Sequence, residues 1–147
     1  MKPAKFEYYD PKTIDEALGL LDQHGDEAKL LAGGQSHVPL MNMRLAKPSV
    51  VVDINQLSSL DYIEPRNGSI AVGALTRHRT VEKSALLKEL CPILPHAAEH
   101  VADVQVRNRG TFGGSIAHAD PAAEFCAAIL LLGGKVVARS SLTERPE

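Results

Sequence analysis

The stretch from Leu30 to Ile54, LLAGGQSHVPLMNMRLAKPSVVVDI, constrains the fold more than any other part of the chain. A short apolar run leads into Gly33-Gly34, the segment from Ser36 reads as helix, and PSVVVDI reads as a buried strand rich in β-branched residues. Strand, helix and strand in that order imply a parallel βαβ unit, because parallel neighbours need a crossover and a helix is the usual one. Leu40, Met41, Met43 and Leu45 are expected to pack in the core. Upstream, PKTIDEALGLLDQHG sets Asp15 near a helix start, Ala17, Leu18 and Leu21 at helical spacing, and Gly25 as the terminator, with His24 at the helix C-terminal end.

The texture changes after Leu60. Asn67-Gly68 in DYIEPRNGSIAVGAL is a hairpin signal between two short strands. Thr80 is expected to cap a helix over VEKSALLKEL, Pro92 and Pro95 punctuate, and HAAEHVAD supplies a further helix. A glycine-rich loop follows. DPAAEFCAAILLLGGK then reads as the best-defined helix, with Asp120 as N-cap, Pro121 at the first helical position and Gly133 ending the run. KVVARS reads as a returning strand. The switch from parallel to antiparallel texture places a boundary near residue 55, dividing the chain into 1–55 and 56–147.

Several function classes drop out at this stage. With 147 residues the chain can bury a real core, and 44% hydrophobic with 23% charged residues is a soluble globular composition. The apolar run Cys126 to Leu132 falls far short of the roughly 20 residues of a membrane span. The N-terminus lacks a secretory signal and Cys91 and Cys126 cannot form a disulfide framework, so a cytoplasmic protein is expected. A net charge of −2 without a basic stripe gives no footprint for nucleic acid.

The residues with chemical promise are two glycine pairs, AGGQS at Ala32 to Ser36 and TFGGS at Thr111 to Ser115. Residues without Cβ can turn successive N–H groups to one side and cradle an anion, and a helix starting at Ser36 adds its positive end. Gln35, Ser36, Thr111 and Ser115 could hydrogen-bond phosphate or ribitol oxygens. A tight turn explains either pair equally well, as a helix C-cap explains Gly133-Gly134. Neither G-x-G-x-x-G nor G-x-x-x-x-G-K-[ST] is present. His96, Glu99 and His100 match the H-x-x-E-H zinc pattern, but a third ligand and a cleft are needed, and no metal site is expected. His37, His78 and His118 beside the glycine segments read as surface or hydrogen-bonding residues, and Cys126 as a small buried hydrophobe.

Four motifs in order carry a resemblance over nearly the whole chain: F-x-Y-Y-x-P-x-T-I-D-E-A-L, KLLAGGQSHVPLMNMRLAKPSVVVDI, VGALTRH and VRNRGTFGGSIAHADPAAE. The chain resembles the FAD-binding medium subunit of the molybdenum hydroxylases, the group that includes carbon monoxide dehydrogenase and xanthine dehydrogenase. The resemblance implies an α+β fold of the FAD-binding p-cresol methylhydroxylase type. A small parallel βαβ subdomain would be followed by an incomplete, mainly antiparallel sheet with helices. It implies that Leu31, Ala32, Gly33, Gly34, Gln35, Ser36 and His37 form one FAD loop and Thr111, Phe112, Gly113, Gly114 and Ser115 the other. Thr76 corresponds to a cofactor-side position, Asp120 and Glu124 fall near the ribityl chain and phosphates, and Arg107 and Asn108 shape the second loop. The implied function is electron transfer through FAD, with a molybdopterin-binding large subunit and a [2Fe-2S] small subunit as partners. Two separated cysteines cannot hold an iron–sulfur cluster here. No catalytic acid, base or nucleophile is assigned, because the redox chemistry belongs to the cofactor. Family members run on past GKVVARSS, so a truncated chain is expected, without the family's C-terminal domain, with weak FAD binding and possible self-association. The alternatives are a non-catalytic interaction module and an independent flavin oxidoreductase.

Overall fold

The computed structural model describes residues 1–141 and 144–146. They form two compact units, Met1–Leu57 with Lys135–Glu147, and Ser58–Gly134.

In the first unit, helix α1 (Ile14–His24) starts where the extended Thr13 accepts the Glu16 N–H on its hydroxyl at 3.1 Å. Asp15 and Glu16 sit in the first turn, where the helix dipole favours acidic groups, and Gly25 forms the C-cap. Strands β1 (Glu7–Tyr9), β2 (Ala28–Leu31) and β3 (Val50–Asp53) make a parallel sheet in the order β1-β3-β2. Helix α2 (His37–Asn42) lies in the connection from β2 to β3, which completes the expected βαβ unit. The central position of β3 explains its unbroken valines: Val50, Val51 and Val52 are all buried, as both faces of a covered parallel strand require. The core expectation for α2 holds for Met41 alone. Met43 and Leu45 are 47% and 73% exposed, because the chain leaves the helix at Asn42 and carries them outward. The returning segment forms β6 (Val137–Arg139), antiparallel to β7 (Glu144–Pro146).

In the second unit, β4 (Ile63–Arg66) and β5 (Ser69–Val72) pair antiparallel across Asn67-Gly68. Both turn residues have positive φ, which is what a two-residue hairpin requires. Helices α3 (His78–Lys83), α4 (Ala85–Leu90), α5 (Ile93–His100), α6 (Val104–Arg109), α7 (Phe112–His118) and α8 (Glu124–Leu131) follow. Their core is Val81, Leu87, Leu94, Ala98, Phe112, Phe125 and Ala128, with the Phe112 and Phe125 rings edge-to-face at 4.8 Å.

Three local expectations are corrected here. Thr80 lies inside α3, which starts earlier at His78 because Arg77 is held by a bridge to Thr111; Ser84 is the residue that caps α4, accepting the Leu87 N–H at 3.2 Å. The second glycine segment is not a loop. Thr111 caps α7 and Gly113 and Gly114 are helical. Asp120 does not cap α8. Its carboxylate takes the Ala122 N–H at 2.8 Å, which closes a turn around Pro121 and delays the helix to Glu124, after an N-cap at Ala123. Gly133 does end α8, in a positive-φ conformation, with the Gly134 N–H returning to the Ile129 carbonyl at 2.9 Å.

Candidate functional site

The two glycine segments differ in where their backbone donors go. Between β2 and α2 in the first unit, the N–H groups of Gly33, Gly34, Gln35 and Ser36 have no acceptor among the described residues. Gly33 is itself buried, and buried N–H groups are almost always paired. Gly34 has φ +72°, and a Cβ there would lie 3.0 Å from Val38 Cγ2 and 3.2 Å from Leu31 Cδ1. This position therefore needs glycine for both backbone hand and space. The carbonyls of the segment are anchored while the amides stay open. Asn55 Nδ2 donates to the Ala32 carbonyl at 2.7 Å, Gln35 Nε2 folds back to donate to the Gly33 carbonyl at 3.2 Å, and the Val38 N–H donates to the Gly34 carbonyl at 3.0 Å.

Asn55 is fixed in turn by Asp53 at the end of β3. Asp53 Oδ1 accepts from the Asn55 backbone N–H at 2.9 Å and from Nδ2 at 2.6 Å, and Asp53 Oδ2 accepts from the Tyr8 hydroxyl at 2.7 Å. The Asp53 bond pushes the Tyr8 phenol up to about 12, so it remains a donor over the neutral range. Sequence reasoning missed both Asp53 and Asn55. Asp-x-Asn just after a β-branched strand was the available signal, since such a pair closes a side-chain turn.

In the second unit the backbone donors from Phe112 to Ser115 are all used. The Phe112 N–H goes to the Thr76 carbonyl at 2.8 Å, Gly113 to the Ala74 carbonyl at 2.9 Å, Gly114 to Thr111 Oγ1 at 3.2 Å and Ser115 to the Thr111 carbonyl at 3.0 Å. A Cβ on Gly113 would stand 2.6 Å from the Ala74 Cβ and 2.7 Å from its Cα, so this glycine admits a neighbouring backbone. Phe112 is in the core. Thr76 is fully buried, its hydroxyl donating to the Tyr62 carbonyl at 2.9 Å and accepting the Tyr62 N–H at 3.2 Å. The groups of this segment that can reach outward are side chains, above all Ser115, which is half-buried. Asp120 is exposed, and Glu124 opens α8 half-buried.

His78 braces the segment, and Arg107 fastens α6, the helix before it. His78 is 6% exposed, its Nε2 lies 2.9 Å from the Thr111 carbonyl, and its ring meets Phe125 edge-on at 5.0 Å. Burial pushes the imidazole below its ordinary pKa and outweighs the Thr111 bond. Arg107 Nη1 donates to the Val101 and Ala102 carbonyls at 2.9 and 3.0 Å, and Nε pairs with the buried Glu82 at 2.9 Å. Burial alone would push the Glu82 carboxyl up, but bonds from Arg79 and Lys83 and the Arg107 charge hold it below the ordinary range. In α5, His100 Nδ1 bonds the His96 carbonyl at 2.9 Å, and no group of three His, Cys, Asp or Glu side chains among the described residues could hold a metal ion. No helix among the described residues is long and apolar enough to cross a membrane.

Comparison with known proteins agrees with this architecture. Residues 4–146 match the FAD binding domain in molybdopterin dehydrogenase. The chain is 48% identical over 145 residues to the 6-hydroxypseudooxynicotine dehydrogenase complex subunit alpha of Paenarthrobacter nicotinovorans, covering 99% of this chain and 49% of that one. It is 45% identical over 121 residues to the carbon monoxide dehydrogenase medium chain of Hydrogenophaga pseudoflava, covering 82% and 42%. A solved carbon monoxide dehydrogenase from Hydrogenophaga pseudoflava superposes with a TM-score of 0.96 at 40% identity, covering 99% of this chain and 51% of that chain. The chain spans about half the length of the curated relatives it matches. A family match that runs almost end to end, on a fold shared at this identity, establishes that the chain belongs to the FAD-binding domain family of the molybdopterin dehydrogenases.

Proposed function

We propose that this chain binds FAD within the medium subunit of a molybdenum hydroxylase, and that electrons pass through the flavin from iron–sulfur clusters to an acceptor. The observation that carries the reading is the row of open amides from Gly33 to Ser36. Consecutive N–H groups without an internal acceptor on a glycine pair fit a diphosphate, because each can donate to a charged oxygen and none brings a negative charge. Leu31 and Ala32 lead the chain from β2 into this row, Asn55 holds it from behind, and His37 opens the following helix.

The second segment contributes differently. Its amides from Phe112 to Ser115 are committed internally, so the half-buried Ser115 hydroxyl is its donor to phosphate or ribityl oxygens, with the buried Thr111 and Phe112, together with Gly113, seating the helix start behind it. Asp120 and Glu124 accept from ribityl hydroxyls, a role that suits carboxylates better than contact with phosphate. Thr76 acts as a strut behind the segment. When bound, the flavin supplies the redox chemistry, and the residues named here bind and orient it. The partners in this reading are a molybdopterin-binding large subunit and a [2Fe-2S] small subunit, and the assembled enzyme is an oxidoreductase.

Competition binding tests the reading. FAD and ADP are expected to compete for one saturable site, while riboflavin, which lacks the diphosphate, binds at least tenfold more weakly. Absence of saturable FAD and ADP binding, or equal binding of riboflavin, would overturn it.

A further inference from the structure

We propose that His78 is a positioning residue for the Thr111–Ser115 half of the flavin site, acting as a neutral imidazole that holds the Thr111 carbonyl through Nε2–H. The inference rests on the FAD reading above. Its starting point is chemical: Thr111 offers His78 a carbonyl oxygen, which can only accept, so Nε2 must carry the hydrogen and donate across the 2.9 Å contact. Nδ1 is then a lone pair, and it is buried without a hydrogen-bond partner.

The surroundings are built for this ring in this orientation. The His78 backbone N–H donates to the Gly110 carbonyl at 3.0 Å and the Phe112 N–H to the Thr76 carbonyl at 2.8 Å, so two backbone bonds already tie the two stretches together. The ring adds the third bond, to the residue between Gly110 and Phe112. Gly110 leaves the space. A Cβ there would fall 2.8 Å from both Cε1 and Nδ1 of His78. Phe125 of α8 closes the other side at 5.0 Å. The charged groups acting on the ring are Glu124 of α8, which favours the imidazolium, and Arg107 of α6 and Arg77 before α3, which oppose it. With burial on the side of the two arginines, the ring stays neutral and keeps the tautomer the carbonyl needs.

What the bond controls is Thr111 itself. The same residue that gives its carbonyl to His78 and to the Ser115 N–H caps α7 with its hydroxyl on the Gly114 N–H. Releasing the carbonyl lets the Thr111–Ser115 turn shift, and with it the Ser115 hydroxyl that the FAD reading assigns to the cofactor.

Two variants and two readouts test this. His78→Leu fills the space without a donor. His78→Gln returns a neutral N–H donor near the Nε2 position. In the flavin-free protein, amide exchange at Gly114 and Ser115 is expected to speed up at least tenfold in the Leu variant and to return toward wild type in the Gln variant. FAD dissociation constants are expected to follow the same order. Gly110→Ala, which displaces the ring and leaves its chemistry intact, should behave like the Leu variant. Unchanged exchange in a folded Leu variant, changed exchange with unchanged FAD affinity, or no rescue by Gln would each overturn the proposal. Wild-type protein that takes up no FAD at all would instead overturn the functional reading, and this proposal with it.

Discussion

Substituting Gly34 by alanine places a Cβ on a residue whose φ is +72°, at the centre of the open amide row. The left-handed conformation costs a residue with a side chain about 1–2 kcal/mol. The new methyl would meet Val38 Cγ2 at 3.0 Å and Leu31 Cδ1 at 3.2 Å, both side-chain ends that must give way by a few tenths of an ångström. The strain has two outlets. If the backbone keeps its shape, FAD affinity survives and the domain loses about 1–2 kcal/mol, a fall of roughly 4–16 °C in Tm for a unit of this size. If the backbone relaxes to negative φ, stability is kept but the amides turn away from the ligand. Hydrogen bonds to charged groups contribute about 1.5–3 kcal/mol each, so loss of one weakens FAD about tenfold to hundredfold. Urea melts and FAD titration of the same preparations read both outlets. A variant within about 0.5 kcal/mol of wild-type stability and within about twofold of its affinity would refute the account of this loop.

Gly113→Ala should be costlier to the fold than Gly34→Ala, because its Cβ meets the Ala74 backbone at 2.7 Å and cannot be relieved by a side-chain turn; about 2–3 kcal/mol is expected in a urea melt. Arg107→Ala leaves the buried Glu82 with only Arg79 and Lys83 and frees the Val101 and Ala102 carbonyls; a loss of about 2–4 kcal/mol is expected, with Arg107→Lys recovering only part. Acid should destabilise the second unit in two stages. His78 has a lowered folded pKa, so the unfolded chain binds the proton first, and stability falls as pH drops below about 6.5. Glu82, also lowered, adds a loss as pH falls through about 4.5 and below, and His78→Gln should flatten only the first stage.

Much of the first unit was legible in local sequence because its signals are local. The valine run of β3 and the glycine pair ahead of α2 carry their own conformations, and Asn67-Gly68 did the same for the hairpin in the second unit. Strand β1 was invisible: three residues, Glu-Tyr-Tyr, become a strand only by pairing with β3 more than forty residues away. TFGGS looked like a loop because two glycines disfavour helix, yet the close approach of Ala74 demands a residue without Cβ at Gly113, and a Thr111 cap outweighs the propensity cost. Asp120 was a good cap by type, but its carboxylate found the nearer Ala122 N–H. The candidate site was half visible in the same way. The glycines announced a backbone feature, whereas the anchors Asn55 and His78 act on residues 23 and 33 positions away and leave no local trace.

The open amide row can be examined residue by residue. In an amide-resolved NMR titration with FAD, the Gly33, Gly34, Gln35 and Ser36 resonances should move together with one saturation curve, and ADP should move the same four. The Phe112 and Gly113 amides, already bonded to Thr76 and Ala74, should shift far less. Saturable FAD binding that leaves the Gly33–Ser36 amides unmoved would contradict the account.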